Sequence, residues 1–242
     1  MWESVRTLIP HTKLMKKKIV KKKKEVTYDF DRSKTYPIAE ALELSKKFSK
    51  TKFESSVEVH VRLGIDTRKG DQQVRAAVSL PHGTGKTVKV CAFVTTENEK
   101  AAKDAGADIV GGEDLIAEIK KTEKTDFQVA VAEPAMMKNL AQIAKILGTR
   151  GLMPSPKNET VTPNVAQAIA ALKKGKVSFR NDDTGNIHVA IGKTTFETPK
   201  LVENFSVFID SVRKAKPSSS KGLFIRNITL STTMGPGIKV TI

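Results

Sequence analysis

The sequence predicts mixed α+β and α/β architecture, in which an α/β unit is inserted into a discontinuous α+β domain. Three observations predict it. At 242 residues the chain is longer than one core usually fills, so two domains are expected. Before residue 82 and after residue 175, apolar and polar residues alternate with period two around amphipathic helices, whereas residues 82–175 run strand, helix, strand, helix. Charge divides at the same places: residues 1–24 hold nine basic and one acidic residue, 25–81 with 176–242 hold 20 and 14, and 82–175 hold 13 and 11. The expected organisation is a flexible basic arm over 1–24, a domain built from 25–81 and 176–242, and an inserted domain over 82–175.

The elements follow in order. Ile38, Ala41, Leu42, Leu44 and Phe48 fall at helical spacing after Pro37, which suits a first turn. Val57, Val59, Val61 and Leu63 alternate with Glu58, His60 and Arg62, and Val74, Ala76, Val78 and Leu80 alternate in the same way, predicting two strands with one wet face. In the middle, strands over 88–94, 108–110 and 129–132 alternate with helices over 97–105, 113–121, 134–146 and 163–173, the last capped by Thr162 and ended at Gly175. That order predicts a parallel sheet covered by helices. Strands over 177–179 and 187–191 flank a turn at 181–186 and read as a hairpin. A helix over 199–214 with Thr198 as N-cap, and strands over 223–230 and 238–242, complete the chain.

Forty-two Lys and Arg against 26 Asp and Glu give a net charge of +16, the balance of a protein whose partner is a polyanion. The lysine-rich arm is too charged to pack and is expected to contact RNA. Met15 offers an alternative start, and residues 1–14 lack the apolar core of a secretory signal. Nothing approaches the length of a membrane span. Cys91 is the one cysteine, which excludes an intrachain disulfide and a thiolate zinc cluster, and its place in an apolar strand marks it as core.

Catalytic signals are weak. Gly83-Thr84-Gly85-Lys86-Thr87 ends like a phosphate loop, but Leu80 stands where the first glycine is needed and a strand is predicted where a helix should start. The four histidines, His11, His60, His82 and His188, show no close pairing in sequence. Glu113 and Asp114 at a helix start complement its dipole. Nucleic-acid candidates are better placed. Lys50, Lys52 and Phe53 combine charge with a ring, although Phe53 is equally readable as core. Arg180 to His188 offers a guanidinium, amides, hydroxyls and an imidazole around a turn, and Ser231 to Gly237 offers three hydroxyls and a thioether on a glycine-rich loop.

Several strings together resemble the ribosomal protein L-one family of bacterial type. They are Lys52-Phe53-Glu54 with Val57 to His60, Leu63-Gly64-Ile65-Asp66, Ser79 to Gly83, Ala105-Gly106-Ala107-Asp108, Leu147 to Pro154, Phe179 to Asp182 with Thr184-Gly185, Gly192-Lys193, and Thr232 to Pro236. The resemblance implies a non-enzymatic protein without cofactor or metal, whose discontinuous domain grips a junction in large-subunit rRNA while a Rossmann-like insertion swings on a hinge. It further implies a mobile stalk near the tRNA exit site that assists release of deacylated tRNA, repression of translation through the protein's own operon mRNA, and a cytoplasmic ribosome, an organellar one being the alternative. The RNA contacts it implies are Lys52, Phe53, Glu54, Arg180, Asn181, Asp182, Thr184, His188, Lys193, Thr232, Thr233, Met234 and Gly235. The competing reading is a nucleotide-dependent enzyme built on residues 82–175.

Overall fold

The structure is a computed structural model that describes residues 30–241, so the basic arm lies outside the described residues. Strand β1 (Thr35–Tyr36) leads into helix α1 (Ile38–Lys47), where Pro37 sits extended at the N-cap, Glu40 occupies the first turn and Lys46 and Lys47 the last. Strands β2 (Ser56–Leu63), β8 (Asn186–Lys193), β9 (Ile225–Thr232) and β10 (Ile238–Val240) join β1 in a five-stranded sheet of order β1-β10-β9-β2-β8. All its pairings are antiparallel except β1 with β10.

Alternation sorts the strand residues onto two faces. Val57, Val59, Val61, Ile187, Val189, Ile191, Ile228, Leu230 and Ile238 are buried beneath α1 and α7 (Thr198–Lys214), with Leu42, Leu201, Phe205 and Phe208 from those helices. Glu58, His60, Arg62, His188, Thr229, Ser231 and Lys239 alternate with them on the opposite, polar face.

Strand β3 (Arg75–Ser79) does not join β2, and β7 (Lys176–Arg180) does not form a hairpin with β8. Instead β3 and β7 pair with each other as a separate two-stranded ribbon. The turn at 181–186 is present, but a single bridge, Asn181 with Ile187, joins its two arms before they diverge. The ribbon has its own reason to leave the sheet. Val78 and Phe179 bury against the same core from another side, where α7 packs on β3.

Between the ribbon strands, β4 (Val90–Phe93), β5 (Ile109–Gly111) and β6 (Val129–Ala132) form a parallel sheet of order β5-β4-β6. Cys91 and Phe93 face one apolar layer with α3 (Glu113–Thr122), and Val90 and Ala92 face the other with α2 (Glu99–Asp104) and α6 (Val165–Lys173). A strand covered on both faces is necessarily apolar throughout, and all four residues of β4 are buried.

Three predicted helix details differ. The helix expected over 134–146 is broken into 3₁₀ turns at Pro134–Met136 and Ala141–Ile143, with α4 (Met137–Leu140) and α5 (Ala144–Thr149) between and after them. The tighter turns keep Met136, Leu140, Ile143 and Leu147 pointed at one core. Asn164, not Thr162, occupies the N-cap of α6, and the Thr162 hydroxyl instead accepts the Asn164 N–H at 3.2 Å. Glu197, not Thr198, is the N-cap of α7: the extended backbone ends at Glu197 (φ −61°, ψ 147°) and Thr198 is already the first helical residue, its hydroxyl accepting from Lys46 Nζ at 3.3 Å.

The chain passes between the two regions twice, and the passages touch. Leu80 N–H donates to Gly175 O at 3.4 Å. Gly83 and Gly175 have φ of +63° and +106°, and a Cβ on Gly175 would lie 2.4 Å from Gly83 Cα. Only glycine fits there. Fully buried Asn204 of α7 ties this crossing to the outer core: its Nδ2 donates to Gly83 O at 3.0 Å and Ile191 O at 2.8 Å, and its Oδ1 accepts His82 N–H at 3.2 Å.

Candidate nucleic-acid interface

Two clusters stand at opposite ends of β2, separated by on the order of 25 Å of extended chain. At the Ser56 end, three segments are stitched together. Ser56 N–H donates to Thr233 Oγ1 at 3.0 Å, Thr233 N–H returns a bond to Ser56 O at 3.1 Å, and Thr194 N–H donates to Ser55 O at 2.9 Å. Lys193 Nζ lies 2.8 Å from Glu54 Oε2. This brings Lys52, Phe53, Glu54, Lys193, Thr232, Thr233, Met234 and Gly235 into one cluster. Phe53 is 57% exposed and Met234 70%, an unusual position for two large apolar side chains. Phe53 is therefore not core.

Thr232 differs from its neighbours: it is buried, and its hydroxyl has no partner among the described residues. A Cβ on Gly235 would come within 2.1 Å of that hydroxyl. The absence of a side chain at 235 lets the loop fold down over Thr232 and lifts Met234 outward, so Thr232 shapes the loop rather than presenting its hydroxyl.

At the Leu63 end stands the turn Asn181–Gly185. Asn181 Oδ1 accepts Val74 N–H at 2.8 Å, and Leu63 N–H reaches Gly185 O at 2.9 Å. Asp182 accepts Asn186 N–H at 2.6 Å, Thr184 N–H at 3.0 Å and the Thr184 hydroxyl at 2.7 Å. Desolvation disfavours its charge, but these bonds outweigh that cost and hold its carboxyl at about 2. The Arg180 side chain remains exposed beside the turn.

The polar sheet face joins the clusters, and here the reading of unpaired histidines fails. His60 and His188 are register partners across β2 and β8, with Nδ1 atoms 2.8 Å apart. His60 Nε2 lies 2.9 Å from Ser231 Oγ, and His188 Nε2 lies 3.5 Å from Asp182 Oδ2. A relay therefore runs Ser231, His60, His188, Asp182 across three strands. Desolvation first, and then the neighbouring His188 against Glu58, push His60 below the ordinary imidazole range. Sequence reasoning passed over His60 as a site residue and read Ser231 only as one hydroxyl of the 231–237 loop. Their signal was the period-two wet face itself, which cannot say what wets it.

Other candidates separate from this site. His82 pairs with Glu203 at 2.6 Å, and His11 lies outside the described residues. Burial pushes the Cys91 thiol up to about 12, so it is no nucleophile. Gly83 to Thr87 leads into β4 and not into a helix. Among the described residues, no group of three or more His, Cys, Asp and Glu could hold a metal ion, and no helix is long and apolar enough to cross a membrane.

A model of the Ribosomal protein L1p/L10e family matches residues 45–236. The chain belongs to this family. It is a family of structural ribosomal proteins rather than of enzymes. The large ribosomal subunit protein uL1 of Mycoplasma capricolum is 54% identical over 92% of this chain and 98% of its own length. Its counterparts in Thermosipho melanesiensis, 50% identical over 91% and 95%, and Saccharopolyspora erythraea, 51% identical over 87% and 88%, are similar throughout. The family match takes in both clusters and the sheet face between them, from Lys52 to Gly235.

Proposed function

We propose that this chain is a structural constituent of the large ribosomal subunit that binds its rRNA directly through the polar face of the five-stranded sheet. The observation that carries the reading is the arrangement of that face. An exposed ring and thioether at one end and an exposed guanidinium at the other flank the linked Ser231 hydroxyl and His60 and His188 imidazoles, whose rings meet edge to face at 61°. Stacking surfaces and hydroxyl-reading groups, not charge alone, are what folded RNA requires. Lys52, Phe53, Glu54, Lys193, Thr233 and Met234 contact RNA at one end and Arg180, Asn181, Asp182 and Thr184 at the other, with His188 between; Thr232 and Gly235 set the loop.

The separate cores support a two-domain division in which residues 82–175 move as an inserted Rossmann-like unit on the Gly83 and Gly175 crossing. On this reading the protein forms the mobile stalk beside the tRNA exit site, assists release of deacylated tRNA, and represses its own operon mRNA by the same face. The bacterial relatives support a cytoplasmic ribosome as its location.

The test is binding to a short stalk-junction rRNA fragment against a scrambled RNA of equal length over a salt series. A preference of about a hundredfold or more that survives high salt is expected. Equal binding that collapses with salt overturns the reading. Phe53→Ala and Met234→Ala each weaken the specific complex by about 1 to 3 kcal/mol, and because both side chains are exposed the melting temperature stays where it is.

A further inference from the structure

Away from the sheet face, a cleft of about 520 Å³ lies between the β3–β7 ribbon and the loop over residues 148–158. Arg75 and Arg180 reach it from the ribbon and Arg150 from the loop, and no acidic residue lines it. Arg75 and Arg180 are direct cross-strand partners, a like-charge pairing that costs stability unless an anion offsets it. Among the described residues, none of the three guanidinium groups forms an ion pair; Arg75 reaches Gln73 Oε1 at 3.5 Å and Arg150 donates to the Thr125 hydroxyl. A neighbouring cleft that Arg75 and Arg180 also border contains Asp182 and Asp183, so an anion is favoured on the Arg150 side.

A second observation refines the ligand. Asn158 lines the same cleft and also a second one beside Lys86 and Lys176, and its Oδ1 is buried without a hydrogen-bond donor, so a ligand hydroxyl reaches it through a turn of the Asn158 side chain. A ligand that meets both demands carries phosphate for the arginines and a hydroxyl to donate to Asn158. The volume suits a mononucleotide.

We propose that this cleft is a ribonucleotide site, with the phosphates held by Arg75, Arg150 and Arg180 and a ribose hydroxyl donated to Asn158. The ligand is either a free nucleotide or one nucleotide unit of an RNA strand. Bound there, it bridges the ribbon and the 148–158 loop and so ties the two core regions together. The site shares Arg180 with the proposed rRNA contacts but uses nothing of the sheet face.

The test is calorimetric titration of the full chain with ADP, pyrophosphate, adenosine and a short single-stranded RNA, for wild type, Arg150→Ala and Asn158→Leu. ADP or the short RNA is expected to bind wild type and to lose about tenfold or more in affinity in Arg150→Ala, with melting temperature and junction-RNA binding unchanged. Loss of both ADP and RNA marks a free nucleotide site that also accepts a strand; loss of RNA alone marks the strand as the ligand. Asn158→Leu is expected to weaken ADP or RNA more than pyrophosphate, and adenosine is expected not to bind. Affinities insensitive to Arg150→Ala overturn the site and assign anion binding to the basic surface at large. Pyrophosphate binding as tightly as ADP in wild type overturns the ribose contact. Because Arg150 lies off the sheet face, junction-RNA binding reports separately on the rRNA reading.

Discussion

Asp182 holds its turn by accepting four bonds from Thr184 and Asn186, and its carboxyl is held down at about 2 instead of 3.8. A depressed carboxyl adds stability that is fully present above 3.8 and is lost as the pH falls toward about 2. Because its side chain is 37% exposed, solvent screening reduces the effect, and Asp182→Asn should cost about 1 kcal/mol at neutral pH. Urea titrations at neutral and strongly acid pH should show wild type and variant converging at the acid end; a constant difference would assign the cost to packing. His60 has the opposite linkage to a salt-bridged histidine. Its folded pKa is lowered, so the unfolded chain takes up a proton first, and stability rises with pH to a plateau above 6.5 and falls below it. His60→Gln should flatten the fall in melting temperature as the pH drops below 6.5, and an unchanged profile would remove the His60–His188 pair as its source. At this scale the sequence was a partial guide. The exposure of Met234 agrees with a loop reading, whereas Phe53 was ambiguous because a ring before a strand packs inward or outward with equal ease. The histidine pair was illegible, since it depends on the β2–β8 register between residues 128 positions apart.

Helices and strands that answer to local periodicity were legible, and those that answer to distant partners were not. Strand β6 begins and ends where its apolar run does, and α1 ends within a residue of its predicted limits. The false hairpin at 181–186 shows the other case. Turn chemistry at Asp182 and Gly185 is what a hairpin needs, but β7 finds β3, about a hundred residues earlier, because Phe179 and Val78 have apolar surface to bury there. Asn204 tests the junction of these elements. It is fully buried on α7 and satisfies His82 N–H, Gly83 O and Ile191 O together. Asn204→Ala leaves those backbone groups unpaired at the point where the chain crosses, and should cost about 2 to 4 kcal/mol. Denaturant unfolding measures the loss, and hydrogen exchange should show it concentrated at residues 82–83 and 191–192. A cost below about half a kcal/mol would mean that water replaces the amide.

For the whole molecule, charge predicts how the parts share the work of binding a polyanion. Residues 1–24 carry a surplus of eight positive charges, residues 25–81 with 176–242 a surplus of six, and residues 82–175 only two. On the proposed reading the sheet face adds specificity through its exposed ring, hydroxyls and imidazoles beside a few cations such as Lys52, Lys193 and Arg180, whereas a lysine-rich segment would act mainly through phosphate charge. The two contributions therefore separate in a salt series. Removing residues 1–24 should lower affinity for junction and scrambled RNA by the same factor and leave their ratio intact. The slope of log affinity against log salt should become shallower by several units and by no more than about seven, the limit set by eight neutralised phosphates. Phe53→Ala or Met234→Ala should do the reverse, lowering the ratio while the slope stays constant. If truncation instead erases the preference for the junction, the segment reads structure as well as charge, and the division of labour between the charged segment and the sheet face does not hold for this protein.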